Sequence, residues 1–203
     1  MAVRSQLYQA QGGMNRRKAG EDFHFLQKLI PLGSHSELNT TCVIPSPRPS
    51  DRVPFGTGKA IGAYMEAPDL DFPVYSPESF AALRGAFSEV ATWYALDKEA
   101  LKAILESFPK PLRTYWEKLG FVEQVTEFQE YTTTASTFEK RFFRWMNGLK
   151  TLQYFHHVRD EMIPNVPLEN AAGDIYQKIC GNHTHTGLRA LLLAYRELDR
   201  KGM

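Results

Sequence analysis

Eight of the twelve prolines in this 203-residue chain lie between positions 31 and 77. Proline removes a backbone donor and pushes the residue before it toward extended geometry, so this region is predicted to be loops with at most short helical or strand pieces. A short helix is expected over residues 21–30, and residues 55–59 are interpreted as a flexible loop. Residues 1–75 should therefore form an arm that packs on the rest of the chain or wraps a partner.

Sequence signals for helix formation are frequent from Ser76 onward. Ser76 is a predicted N-cap with Pro77 in the first helical position, and Asp97 is expected to cap a second helix. Apolar spacing and stop signals predict further helices over residues 111–120, 137–162, 168–180 and 187–200, with Thr186 capping the last. Residues 121–131 either continue the preceding helix or form their own. The predicted fold class is all-α: a helical domain over residues 76–203 and a largely irregular N-terminal region, together making one domain.

The charge and cysteine counts narrow the partners and the location. With 24 basic and 23 acidic side chains, the formal net charge of +1 favours neither nucleic acid nor an anionic membrane as the main partner. No run of about eighteen apolar residues predicts a membrane span, and no charged-then-apolar leader opens the chain. Two cysteines are too few for a disulfide scaffold, so a cytoplasmic location is expected.

The predicted helix over residues 137–162 carries the most suggestive side chain. Ser136 and Glu139 fit a capping box at its start. Apolar side chains at alternating steps of four and three residues predict its buried face: Phe138, Phe142, Trp145, Leu149 and Leu152. His156 is next, and because eighteen residues return a helix to its starting angle, His156 is predicted to point inward.

An inward-pointing imidazole can bind a metal or haem iron, with Asp160 one turn later orienting its other nitrogen. The alternative is a core histidine that hydrogen-bonds to a backbone carbonyl or to Asp160. His157 lies about 100° round the helix from His156. It becomes the rival ligand if the helix kinks at Gly148.

A second polar cluster, residues 180–187, separates the last two predicted helices. Cys180, His183 and His185 are candidate metal ligands, although their spacing matches no recognised zinc motif. The segment can equally be a polar capping loop. A third interpretation is contact with an anionic group, such as a carboxylate or propionate, through Thr186, Gly187 and the helix N-terminus that follows.

Residues 137–200 resemble the C-terminal part of the haem-dependent dioxygenase superfamily, which includes indoleamine and tryptophan dioxygenases. The matching features are Phe143-Arg144-Trp145 leading to His156, the loop over residues 181–187, and the helix from Leu188. The resemblance implies a haem cofactor with His156 as its axial ligand.

Three functions remain open. The leading one is a haem-binding oxygenase or peroxygenase acting on an aromatic small molecule. In it, His156, Asp160 and Trp145 hold the haem, His183 and His185 serve catalysis, and Thr186 and Gly187 contact a propionate. The second is a non-catalytic helical interaction or assembly protein, whose N-terminal arm wraps a partner or a neighbouring copy in a homo-oligomer. The third is a non-haem metal protein that uses the loop at 180–187.

Overall fold

The structure is a computed structural model. It describes residues 2–15, 20–33, 36, 38, 40, 43–44, 46–49, 56–67, 72–181 and 187–202. Its internal contacts divide the chain into two units. The first unit comprises Met1–Asp71 together with Leu192–Met203, and the second is Phe72–Leu191. The predicted all-α class is confirmed. The division into domains 1–75 and 76–203 stays a prediction.

The first unit contains short helices. They are α1 (Ser5–Ala10), α2 (Glu21–Leu29) followed by a 3₁₀ turn (Ile30–Leu32), and α3 (Thr57–Glu66). Helix α2 agrees with the prediction for residues 21–30. The loop interpretation of residues 55–59 is wrong from Thr57 onward, because α3 begins there, directly after Gly56 at φ 103°. Good helix formers such as Ala60 and Met65 outweigh the two glycines within α3.

The second unit holds most of the helices. They are α4 (Pro77–Phe87), a 3₁₀ helix (Val90–Ala95), α5 (Lys98–Ser107), α6 (Lys110–Lys118), α7 (Phe121–Glu130), α8 (Ala135–Trp145), α9 (Gly148–Glu161) and α10 (Leu168–Cys180). The first turn of α11 (Leu188–Lys201) also belongs to it. Two short strands, β1 (Pro73–Val74) and β2 (Val166–Pro167), pair antiparallel beside α10.

Several predicted helix ends are confirmed by their hydrogen bonds. The Ser76 hydroxyl accepts from Glu78 N at 3.3 Å, and the Asp97 carboxylate accepts from Ala100 N at 2.8 Å. Gly120 at φ 65° separates α6 from α7, which decides between the two possibilities left open for residues 121–131. The predicted cap Thr186 lies outside the described residues.

The single helix predicted over residues 137–162 is wrong, because the chain forms two helices there. Helix α8 begins at a capping box between Thr134 and Thr137, not at one between Ser136 and Glu139. The backbone leaves helical geometry after Trp145, and the Asn147 side chain caps α9 by accepting from Leu149 N at 3.0 Å and Lys150 N at 3.1 Å. An asparagine followed by glycine favours this break, since asparagine bonds to nearby backbone and glycine is a poor helix former.

Aromatic packing around Trp93 forms the centre of the second unit. The Trp93 indole is fully buried and meets the rings of Trp116, Phe121 and Phe142 edge-on, at centroid distances of 5.8, 5.3 and 5.4 Å. Trp116 in turn stacks on Phe121 at 4.8 Å. These rings come from the 3₁₀ helix and from α6, α7 and α8, so one cluster positions four elements.

A side-chain amide holds the end of the 3₁₀ helix against α7. Gln129 Nε2 donates to the carbonyl oxygens of Trp93 at 2.7 Å and Leu96 at 2.8 Å. Carbonyls at a helix end lack partners within the helix, so a side-chain donor there fixes where the chain turns. Gln129 therefore keeps Trp93 in place from the backbone side.

The Asn147 cap gives the first prediction. Asn147→Ala removes the acceptor for two backbone N–H groups at the start of α9 and should lower the free energy of unfolding by about 1 kcal/mol. Asn147→Asp keeps an acceptor there and should stay close to the wild type. Urea unfolding followed by circular dichroism measures both. An alanine variant as stable as the aspartate variant would contradict the role assigned to this cap.

Candidate functional site

The break before α9 changes which histidine faces the protein interior. Counting from Phe138 no longer gives the direction of His156, because the two residues lie on different helices. The prediction that His156 points inward is wrong: it is exposed, whereas the His157 side chain is only 7% exposed. The buried face of α9 is formed by Tyr154, Phe155 and Val158.

The His156 ring lies at the surface beside an aromatic residue and an ion pair. Its centroid is 6.1 Å from that of Tyr75. The carboxylate of Asp160, the predicted orienting group, accepts from Arg159 Nε at 2.6 Å and from Nη2 at 3.0 Å. Donation from Arg159 lowers the pKa of Asp160, and the nearby His156 adds a smaller effect in the same direction. Asp160 is thus engaged mainly by Arg159.

Trp145 is the last residue of α8 and lies near the start of α9, at the opposite end from His156. Its ring packs on Phe128 at 5.8 Å and Phe142 at 5.6 Å, and the Lys150 ammonium lies 5.0 Å from its centroid. Lys150 also donates to the Trp145 carbonyl at 3.0 Å. From Lys150 to His156 a helix advances about 9 Å. Trp145 and His156 therefore belong to different parts of the surface.

The other predicted site residues fall largely outside the described part of the chain. His183, His185 and Thr186 all lie there, so their catalytic and ligand roles stay predictions. Gly187 is exposed at φ 90° before α11, and Cys180 is a half-buried free thiol at the end of α10. Within the described ranges no group of three or more His, Cys, Asp or Glu side chains could hold a metal ion.

A polar cluster around His157 was not foreseen from the sequence. We call it the His157 cluster: Thr114 and Lys118 on α6, and His157 and Glu161 on α9. His157 Nε2 lies 3.2 Å from the Thr114 hydroxyl, and Nδ1 lies 2.9 Å from Glu161 Oε1. Lys118 Nζ donates to the same carboxylate oxygen at 2.9 Å. Thr114 and Lys118 are four residues apart on α6, and His157 and Glu161 are four residues apart on α9, so each pair shares one face of its helix. The sequence does not show that these two faces meet.

The order hydroxyl, imidazole, carboxylate is that of a nucleophilic triad, but the hydroxyl here has other partners. Thr114 Oγ1 lies 3.0 Å from the Lys110 carbonyl and 3.3 Å from that of Pro111, both acceptors in its own helix. A hydroxyl has one proton, so when it donates to these carbonyls it serves His157 as an acceptor. We therefore interpret the His157 cluster as a polar connection between α6 and α9.

An aromatic surface lies along α4. We call it the aromatic strip: Phe80 and Phe87 on α4, Phe143 on α8 and Phe155 on α9. Phe80 packs on Phe155 at a centroid distance of 4.3 Å, and Phe87 meets Phe143 edge-on at 5.2 Å. Phe80 is 48% and Phe143 37% exposed. Phe80 and Phe87 are seven residues apart, a helical spacing that does not by itself show that any of these rings is exposed.

Basic side chains accompany the aromatic strip. Arg84 is exposed and lies four residues after Phe80 and three before Phe87, which places it on the same face of α4 between the two ring pairs. Lys140 and Arg144, both exposed, lie on α8 on either side of Phe143 in sequence. Within the described residues none of these three cations forms an ion pair.

Comparison of the chain with protein-family models, curated proteins and solved structures finds no match. None of the helices in the described part of the chain combines the length and the apolar character needed to span a bilayer.

The His157 cluster predicts an acid-sensitive contribution to stability. Donation from Lys118 lowers the pKa of Glu161 below its ordinary value of 4.5, and His157 adds to this. A carboxylate with a lowered folded-state pKa stabilises the fold above its unfolded-state pKa, and the effect is lost as the pH falls through the folded-state value. Glu161→Gln should therefore be less stable than the wild type at pH 7, with a difference that shrinks below pH 4.5.

Thermal unfolding followed by circular dichroism from neutral to acid pH measures this difference. Glu130→Gln is the matched control, because Glu130 is exposed and forms no ion pair among the described residues. The stability difference between this control and the wild type should not change with pH in the same way. A Glu161→Gln difference that stays constant with pH would count against the contact.

Proposed function

We propose that the protein is a non-catalytic helical interaction protein and that the aromatic strip is the surface on which a partner helix docks. Single exposed apolar side chains are common on protein surfaces and need no explanation. Here, however, Phe80 and Phe87 stand seven residues apart, about 20° apart around α4 and about 10 Å apart along it. Each packs against a ring from another helix, Phe80 against Phe155 and Phe87 against Phe143.

This arrangement matches the way helices bind in grooves. A partner helix presents apolar anchors at positions i, i+3 or i+4, and i+7, and the last spacing equals that of the two ring pairs. Covering the exposed parts of Phe80 and Phe143 gains about 25 cal/mol for each Å² of apolar surface removed from water. Leu152, 39% exposed and one turn before Phe155 on α9, extends the apolar surface at one end.

The rigidity of the site also supports binding. Phe155 is 7% exposed, stacks on Tyr75 at 5.1 Å, and is followed three residues later by the fully buried Val158. On the α8 side, Phe143 follows Phe142, whose ring belongs to the cluster around Trp93. The rings of the strip are thus held by the core, which lowers the entropy lost when a partner binds.

The haem-binding oxygenase or peroxygenase stays a prediction of the sequence resemblance. Axial ligation by His156 was predicted from an apolar setting, and the exposed imidazole beside the Arg159–Asp160 pair has a more polar one. An aromatic small-molecule substrate, a homo-oligomer, assembly through residues 1–75 and a metal site in the loop at 180–187 stay predictions as well.

Site-specific photo-crosslinking tests the interaction function. A photoreactive phenylalanine analogue replaces Phe80 or Phe143 in the full chain, in the cells that naturally produce it. Lys98 and Glu130, both exposed on other helices, are the control positions. We expect one adduct of the same mass at both strip positions and none at the controls. Adducts distributed equally over all four positions, or absent from Phe80 and Phe143, would overturn the proposal.

An absorption spectrum tests the haem prediction independently. If His156 is an axial ligand, protein purified with haem shows a Soret band that His156→Ala abolishes and His157→Ala retains. The reverse pattern assigns the iron to His157. Colourless protein that takes up no added haem rules out the cofactor.

A further inference from the structure

We infer that the partner of the aromatic strip is an acidic amphipathic helix, one that carries carboxylates beside its apolar anchors. This inference rests on the proposed interaction function and adds the chemistry of the partner. It follows from the charges along the strip and from the small apolar area that the strip exposes.

The charges around the strip are mainly positive. Arg84 lies between the two ring pairs, and Lys140 and Arg144 lie about 60° and 100° round α8 from Phe143. One carboxylate, that of the half-buried Glu139, lies one turn before Phe143. Glu78, two residues before Phe80, points about 200° round α4 and so faces away.

The His156 end of the strip is close to neutral. Asp160 there is held by Arg159 through two hydrogen bonds, at 2.6 and 3.0 Å, so the two charges largely cancel. The charges left around the strip are therefore the cations Arg84, Lys140 and Arg144, opposed by the one carboxylate of Glu139. None of the three cations has an ion-pair partner among the described residues, which leaves all three able to bind carboxylates of a partner.

The exposed apolar area argues against a second copy of this chain as the partner. A phenylalanine side chain buries about 200 Å² in full, so the exposed parts of Phe80 and Phe143 amount to less than about 200 Å² together. Stable protein dimers bury about 800 Å² on each partner, of which more than half, or over about 400 Å², is apolar. The strip also presents like charges to its own copy, because Arg84 would face a surface equally rich in cations. A single helix is the occupant of suitable size.

Synthetic peptides provide the test. The probe is a fourteen-residue helical peptide with leucines at positions 3, 6, 7 and 10 and glutamates on both sides of this face. A matched peptide carries lysines in place of the glutamates, and a third carries serines in place of the leucines. Fluorescence anisotropy measures the Kd of each for the full chain, at low and high salt.

We expect the glutamate peptide to bind about tenfold more tightly than the lysine peptide, the size expected from a few exposed ion pairs. High salt should reduce this preference, because exposed charges are screened. Arg84→Glu should remove most of it, whereas Lys98→Glu, a charge reversal on another helix, should not. Phe80→Ser should weaken the binding of both leucine peptides, and circular dichroism verifies that each variant is folded.

The outcomes separate this inference from the proposed function. Equal affinity for the glutamate and lysine peptides, or a preference unchanged in Arg84→Glu, overturns the acidic partner and leaves the interaction function standing. Binding of the serine peptide as tightly as the glutamate peptide overturns the helix-in-groove mode. If no peptide binds while photo-crosslinks form at Phe80 and Phe143, the partner is not an acidic helix. If crosslinks are absent too, both fail.

Discussion

The burial of Trp93 is the interaction on which the second unit depends. Its indole is enclosed by rings from α6, α7 and α8, and edge-on contacts of this kind hold aromatic side chains in defined orientations. Gln129 holds the same residue from the backbone side. Because Phe142 is one of the enclosing rings, the orientation of α8 is set by this cluster, and with it the outward direction of the adjacent Phe143. The surface of the unit thus follows from its core.

The short break between α8 and α9 is the second constraint. In one continuous helix, the His156 side chain would point in the same direction as that of Phe138. With Asn147 starting a new helix, Tyr154 and Val158 take the buried face and His157 turns toward Thr114 on α6, while Glu161 of its own helix contacts its other ring nitrogen. A local cap therefore decides which of two adjacent histidines enters a polar connection between helices and which one faces solvent.

The same two constraints create the aromatic strip. Phe80 and Phe87 share a face of α4 by helical spacing alone, but they form a surface only because α8 and α9 place Phe143 and Phe155 beside them. The cations beside these rings form no ion pair among the described residues. Such a combination is suited to recognition, since the rings supply apolar area and the charges select among partners. The proposed docking surface is thus an outer face of the helical unit.

The all-α class, the caps Ser76 and Asp97 and the bounds of α10 were predictable from the sequence, because each depends on neighbours within a few residues. The division at Met146 and Asn147 was not predicted, since the apolar series ran on at helical spacing across it and outweighed the local cap signal. The His157 cluster and the aromatic strip were also beyond the sequence, because each joins side chains from separate helices. Local chemistry determined where helices begin and end, and tertiary packing decided which of their faces are exposed.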